Sequence, residues 1–300
     1  MIFAWTFGIL PDGRKVTAYK LQDASGLSAI ILDYGLILQS LILPDGRNIT
    51  LNHADLNDYF SGDDYRGAII GPYANRIEGA CFKIDETVYA LAANEKSCNL
   101  HSGPNGFDRQ LWKIAPSKDK LEAVLKTQSM SGFPGQLEVQ VRFELTRQSL
   151  RLSLQAVSDQ STPINMTYHP YWNLKGKGKI DDHDLHLISA GQTAYTLTGI
   201  KDISQTRFDF TMSRPIGQVQ IDHNFKHTQG VVLNYGRTSL HISSSLSDLQ
   251  IYTGDQMKTP RSGIAVEPQF QPNDINLERK SLFKANDAYD HWIEYKFDWR

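Results

Sequence analysis

The stretch Leu137-Glu-Val-Gln-Val-Arg-Phe-Glu-Leu145 alternates apolar and polar residues without a break. On a strand, successive side chains face opposite ways. The spacing therefore predicts Leu137, Val139, Val141, Phe143 and Leu145 on one buried face. After Arg147-Gln-Ser149 the segment Leu150-Arg-Leu-Ser-Leu-Gln-Ala156 repeats the pattern, which predicts a hairpin. Similar strands are expected at 16–21, 28–33, 37–43, 121–126, 185–189, 239–243 and 249–253. Turn signals at Pro11-Asp-Gly13, Pro44-Asp-Gly46, Pro134-Gly135 and Ser262-Gly263 separate them. The two Pro-Asp-Gly turns have unlike flanks, so no repeat is inferred. Many strands without alternating helices predict an all-β protein, a large antiparallel β-sandwich forming one domain over residues 1–300.

The 300 residues carry 31 Lys and Arg against 33 Asp and Glu, a formal charge of −2. That balance argues against a nucleic-acid partner, which calls for a basic excess or stripe. The densest basic run, Lys175-Gly-Lys-Gly-Lys179, has three charges and no aromatic residues, and reads as a solvated turn. With 40% hydrophobic and 21% charged residues, disorder is excluded and a large core is expected. Two cysteines, Cys81 and Cys98, are too few for a disulfide framework or a cysteine zinc site. The first ten residues lack a basic start, and no apolar run approaches the roughly 20 residues that cross a bilayer. A soluble, cytoplasmic protein without a membrane partner is expected.

Several chemistries are absent by spacing. Gly67 and Gly71 flank Ile69, which rules out a Gly-x-Ser-x-Gly elbow, and there is no phosphate-binding Gly-x-x-x-x-Gly-Lys-Ser/Thr loop. Gly176-x-Gly178 lacks the third glycine of a dinucleotide fingerprint. His183 and His186 stand among Asp181, Asp182 and Asp184. Residues three apart on a strand point to opposite faces, so a polar loop is expected there and no metal site.

Four polar-aromatic stretches remain at turns and strand ends. They are Gly71-Pro-Tyr-Ala-Asn-Arg-Ile77, Asn99-Leu-His-Ser-Gly-Pro-Asn-Gly-Phe-Asp108, Asn165-Met-Thr-Tyr-His-Pro-Tyr-Trp-Asn-Leu174 and Ala265-Val-Glu-Pro-Gln-Phe-Gln-Pro-Asn-Asp-Ile-Asn276. In order and approximate spacing they resemble the aldose 1-epimerase (galactose mutarotase) family. Its patterns run about Asn-Arg-Ile, Asn-x-x-His-Gly-Gly-x-x-Gly-Phe-Asp, Asn-x-Thr-x-His-x-Tyr-x-Asn-Leu and Glu-x-Gln-x-x-Pro-Asp-x-x-Asn. The resemblance extends from near residue 30 to near 276.

The resemblance implies a twisted antiparallel β-sandwich acting on a free aldose such as galactose or glucose, without cofactor or metal. It makes Glu267 the catalytic base and His169 the catalytic acid. It places Asn75, Arg76 and His101 at substrate-contacting positions, Asp222 as an acceptor for sugar hydroxyls, and Gln250 as a further polar contact. The chemistry is self-consistent. Interconverting anomers needs a proton taken from O1 and one delivered to the ring oxygen, and carboxylate and imidazole suit those jobs. A neighbouring carboxylate is expected to hold the imidazole protonated. Arg76 is expected to fork onto vicinal hydroxyls or to keep Glu267 ionised. Phe270, Trp172 and Tyr171 are candidates for stacking on the sugar.

Departures from the family patterns lie at Ser102, where a second glycine is usual, at the short segment 255–262, and at Phe270-Gln-Pro-Asn-Asp274. These put the preferred sugar in question. Competing readings are a non-catalytic sugar-binding protein, an epimerase of phosphorylated sugars using Arg76 with Arg66 or Arg261, and a glycoside hydrolase built on Asp222 and Glu267.

Overall fold

A computed structural model describes residues 2–117, 120–127, 130, 132–189, 193–196 and 199–299. Among these, three antiparallel sheets dominate, with nine, six and four strands. The strands Leu137–Thr146 and Ser149–Ser158 form the expected hairpin in the nine-stranded sheet, in register from Leu137 opposite Ser158 to Thr146 opposite Ser149. Leu137, Val139, Val141, Phe143 and Leu145 are all buried, while Glu138 is exposed. The alternation therefore sets the face as it predicts. The strand Tyr289–Trp299 joins the same sheet and turns Ile293, Tyr295 and Phe297 inward.

The other expected strands form within a residue or two of their expected bounds, from Lys15–Gln22 to Asp248–Tyr252. The six-stranded sheet lies across the core from the nine-stranded one. Trp172 belongs to its strand Tyr171–Trp172, and its ring centroid stands 5.0 Å from Tyr295 and 5.9 Å from Phe297. Side chains of all three sheets share one hydrophobic cluster. Helix is confined to short pieces, including Leu56–Ser61, whose N-terminus is capped by Asp55. Its far end is held by the Arg109 guanidinium, which donates to the carbonyls of Tyr59, Phe60 and Gly62.

The segment around His183 differs in part from a polar loop. Asp181 to His183 make a turn and Asp184–Ser189 is a strand, but His183 is fully buried. Its Nε2 accepts the backbone N–H of Leu174 at 2.9 Å, and burial pulls the imidazole down to about 4. That nitrogen is spent on backbone geometry and is not offered to a metal.

Phe143 is wholly buried at the centre of the core, 5.7 Å from the ring of Tyr168. Phe143→Ala is expected to lower the unfolding free energy by about 3–5 kcal/mol in urea titration. A loss under about 1 kcal/mol contradicts this packing.

Candidate active site

Backbone pairing draws the four polar-aromatic stretches into one place. Arg76–Ile77 pairs with Asn99–Leu100, joining the first stretch to the second. Ile69–Ile70 pairs with Thr167–Tyr168, and Tyr73 bridges Asn165, joining the first to the third. Tyr171–Trp172 pairs with Ala265 and Ile264, joining the third to the fourth. The backbone N–H of Asn273 donates to the carbonyl of Arg76 at 2.7 Å and closes the circuit.

The period of two then selects the side chains. In Ile264–Gln269, Ile264 and Val266 enter the core, so Ala265, Glu267 and Gln269 face the other way. Directly opposite residues share a face. Gln250 lies across from Glu267, Asn224 across from Gln250, and Asp222 across from Tyr252. Tyr171 and, two residues earlier, His169 take the same side. The strand is buried on both faces, which is why its sequence shows no simple alternation after Val266.

The result is a cleft of ≈ 950 Å³ lined by Asn75, Arg76, His101, His169, Asp222, Gln250 and Glu267, every polar site residue expected from sequence. At its floor His169 Nε2 stands 3.4 Å from Glu267 Oε1, and the side chains are 5% and 2% exposed. His169 Nδ1, Glu267 Oε2 and Gln250 Oε1 have no hydrogen-bond partner among the described residues. Gln250 Nε2 donates to Asp222 Oδ1 at 2.7 Å, and Asp222 stands at the open side of the cleft.

His101 is oriented by backbone. Its Nδ1 accepts the N–H of Asn75 at 3.2 Å, and its own N–H donates to the Asn75 carbonyl at 3.1 Å. This fixes the neutral ring with its proton on Nε2, a donor. His101, His169 and Glu267 place potential ligand atoms within 4.8 Å of one another. A donor Nε2–H cannot ligate, so the trio does not fit a metal ion unless His101 gives up its bond to Asn75.

Backbone in the left-handed region concentrates here, at Tyr65 (φ 51°), Asn75 (65°), His101 (52°) and Ser102 (69°). Ser102, where glycine is usual in the resembling family, offsets that strain. Its hydroxyl accepts the N–H of Tyr73 at 2.8 Å and donates to the Tyr73 carbonyl at 3.0 Å.

Burial dominates the electrostatics. It pushes the Glu267 carboxyl well above its usual range, with Asp222 adding and Arg76 opposing. It pulls the His169 imidazole down to about 4, against the influence of its own backbone carbonyl and Asp64. It holds His101 well below the usual range, helped by His169 and Arg76. The expectation that a carboxylate keeps His169 protonated is thus corrected: desolvation of both groups outweighs their attraction. Both shifts favour the arrangement in which a single proton sits on the carboxyl and both groups are uncharged.

Arg76 favours ionised Glu267, as expected, but its fork is not free for vicinal hydroxyls. Its Nε and Nη2 fork onto Glu95 at 2.6 and 2.8 Å, and Nη1 faces Asp222 at 3.9 Å. Of the aromatic candidates, Tyr171 lines the cleft, whereas Trp172 is in the core and Phe270 packs against it. Tyr65, whose ring is tilted 56° to that of His101 at 4.5 Å, and Tyr252 also line the cleft. Sequence reading missed Tyr65, Tyr252 and Glu95. Only Tyr252 carried a usable signal, since it lies two residues from Gln250 on the same face.

A family model for aldose 1-epimerase matches residues 17–296. The chain belongs to the aldose 1-epimerase family. Human galactose mutarotase is 30% identical over 97% of both chains, and the aldose 1-epimerase of Haemophilus influenzae is 27% identical over 96% of this chain and 97% of its own. Among solved structures, galactose 1-epimerase from Lactobacillus acidophilus superposes with a TM-score of 0.91 at 22% identity, covering 100% of this chain and 99% of that one. An aldose epimerase homologue from C. elegans gives 0.87 at 21% identity, covering 93% and 98%. The sandwich expected from alternation is therefore this family's fold. Among the described residues no helix is long and apolar enough to cross a membrane.

Long-range ¹H–¹⁵N spectra are expected to show His101 as the neutral Nε2–H tautomer at pH 6.5 and above, where an ordinary imidazole is still partly protonated. Titration of His101 inside that window contradicts the arrangement with Asn75.

Proposed function

We propose that the cleft interconverts the α and β anomers of a free aldose, with Glu267 as base and His169 as acid. The observation that carries this reading is the buried imidazole–carboxyl contact of 3.4 Å at the floor of a polar cleft. Glu267 takes the proton of the O1 hydroxyl while His169 gives one to the ring oxygen, and the ring C–O bond breaks to the open-chain aldehyde. Rotation about C1–C2 presents the other carbonyl face. The O5 hydroxyl then returns its proton to His169 and attacks C1, while Glu267 reprotonates O1.

The single proton makes this economical. Carboxylate plus imidazolium, the working arrangement, is a tautomer of the neutral pair and is reached without changing the net charge of the site. An O1 hydroxyl donating to Glu267 and a ring oxygen accepting from His169 both favour that tautomer. In the same proposal His101 Nε2–H donates to a sugar oxygen, Asp222 and the free Gln250 oxygen accept from sugar hydroxyls, and Asn75 sets the ring of His101. The whole chain works as one catalytic domain in the cytoplasm. The unpaired thiols Cys81 and Cys98 suit that compartment.

A phosphorylated substrate fits less well. Arg261 is spent on Asp181, Asp255 and two backbone carbonyls, and Arg66 is paired with Asp64. A purely sugar-binding role leaves the His169–Glu267 contact without a purpose.

The decay of optical rotation of fresh α-D-galactose or α-D-glucose should accelerate with the purified protein. Glu267→Gln and His169→Asn should each lower kcat by about 10²–10⁴. A panel of aldoses all decaying at the spontaneous rate refutes the proposal. For the wild type, kcat should fall as pH drops through about 4, where His169 takes up a second proton for the pair and Glu267 cannot act as base. An acid limb centred above pH 6 contradicts that assignment.

A further inference from the structure

We infer that Glu95 sets the specificity of the cleft. It holds and neutralises Arg76, so this arginine addresses the hydroxyls of an uncharged aldose and turns away anionic sugars. The inference rests on the anomer-exchange reading above.

A guanidinium facing a cleft is by default an anion receptor, because its planar fork matches a carboxylate or phosphate. Here the fork is already filled. Nε and Nη2 of Arg76 hold the two oxygens of Glu95 at 2.6 and 2.8 Å, leaving Nη1 as the nitrogen nearest Asp222. Glu95 is fixed in turn by a closed loop, in which Glu95 and Cys98 exchange both backbone hydrogen bonds at 3.2 and 2.9 Å. The side chain of Arg76 is 17% exposed and that of Glu95 34%, so both border the cleft while water screens the pair only in part.

Ionised, Glu95, Arg76 and Asp222 sum to a single negative charge. The other cleft arginine, Arg66, is likewise matched by Asp64 at 2.6 Å, and its Nη1 is turned to the carbonyl of Asn52. Lys177 and Lys258 also line the cleft, together with Asp58 and Asp63, so an incoming uronate or sugar phosphate meets an excess of carboxylates and arginines that are already engaged. A neutral sugar loses nothing by this arrangement. It gains one directed N–H from Arg76 Nη1 and the acceptor oxygens of Glu95 and Asp222. Glu95 is thus a positioning residue, acting on the substrate chiefly through Arg76.

The test compares mutarotation of D-galactose and D-galacturonate by the wild type, Glu95→Gln and Glu95→Asp, with melting curves to confirm folding. The wild type should favour galactose in kcat/KM. Glu95→Gln keeps the shape and removes the charge. It should raise the KM for galactose several-fold, leave kcat within about threefold, and narrow the preference by about tenfold or more. Glu95→Asp keeps the charge but is too short to fork. It should raise KM while preserving the preference, which separates charge from geometry. A wild type that uses the uronate as well as galactose, or a folded Glu95→Gln with wild-type KM and preference, overturns the inference while leaving the proposed function standing. A wild type inactive on every aldose overturns both.

Discussion

A carboxylic acid removed almost wholly from water beside an equally buried imidazole is the constraint around which the rest of the structure is arranged. Glu267 is 2% exposed and His169 4%. Burying either group in charged form is costly, and burying both at 3.4 Å is tolerable because burial favours the uncharged form of each. The strand Ile264–Gln269 can present Glu267 in this way because neighbouring strands and the Tyr171 segment cover it on both faces. The nine-stranded sheet supplies the apolar ballast. It fills the core face of that strand so that its other face can stay polar.

The polar face carries a cost that the fold bears openly. Glu267 Oε2, His169 Nδ1, Gln250 Oε1 and both polar side-chain atoms of Asn224 are buried without partners among the described residues. Native interiors rarely leave such groups unpaired except where a ligand or ordered water completes them. The left-handed backbone at Asn75, His101 and Ser102 belongs to the same economy. Reciprocal bonds between Asn75 and His101, and between Tyr73 and Ser102, hold the turn in a conformation it would not keep alone. Rigid placement of the imidazoles is the return on that strain.

Legibility in the sequence followed the length scale of the signal. The fold was readable because alternation in 137–145 and 150–156 is a local consequence of strand geometry. The meeting of His169 and Glu267 in one cleft was readable only through the motif resemblance; the paired strands then bring their side chains to the same side. What escaped depends on contacts between distant loops. Glu95 lies in no motif, and its capture of Arg76 across 19 residues leaves no mark in either neighbourhood. Trp172 and Tyr171 are adjacent and both aromatic, yet parity sends one into the core and the other into the cleft. The protonation balance of the pair is illegible in sequence for a related reason. Sequence shows that a carboxylate is available, but only the fold shows how much water it has lost.

The central claim, that the neutral pair at the cleft floor exchanges anomers, is met most directly by exchange spectroscopy on an equilibrated solution of 1-¹³C-labelled galactose. No net reaction occurs there, so only the α–β interconversion rate is read. Cross-peaks between the two anomeric carbons should appear on the second timescale with catalytic amounts of the protein and vanish when Glu267→Gln replaces it. Equal exchange rates with the wild type, the variant and buffer alone contradict the account.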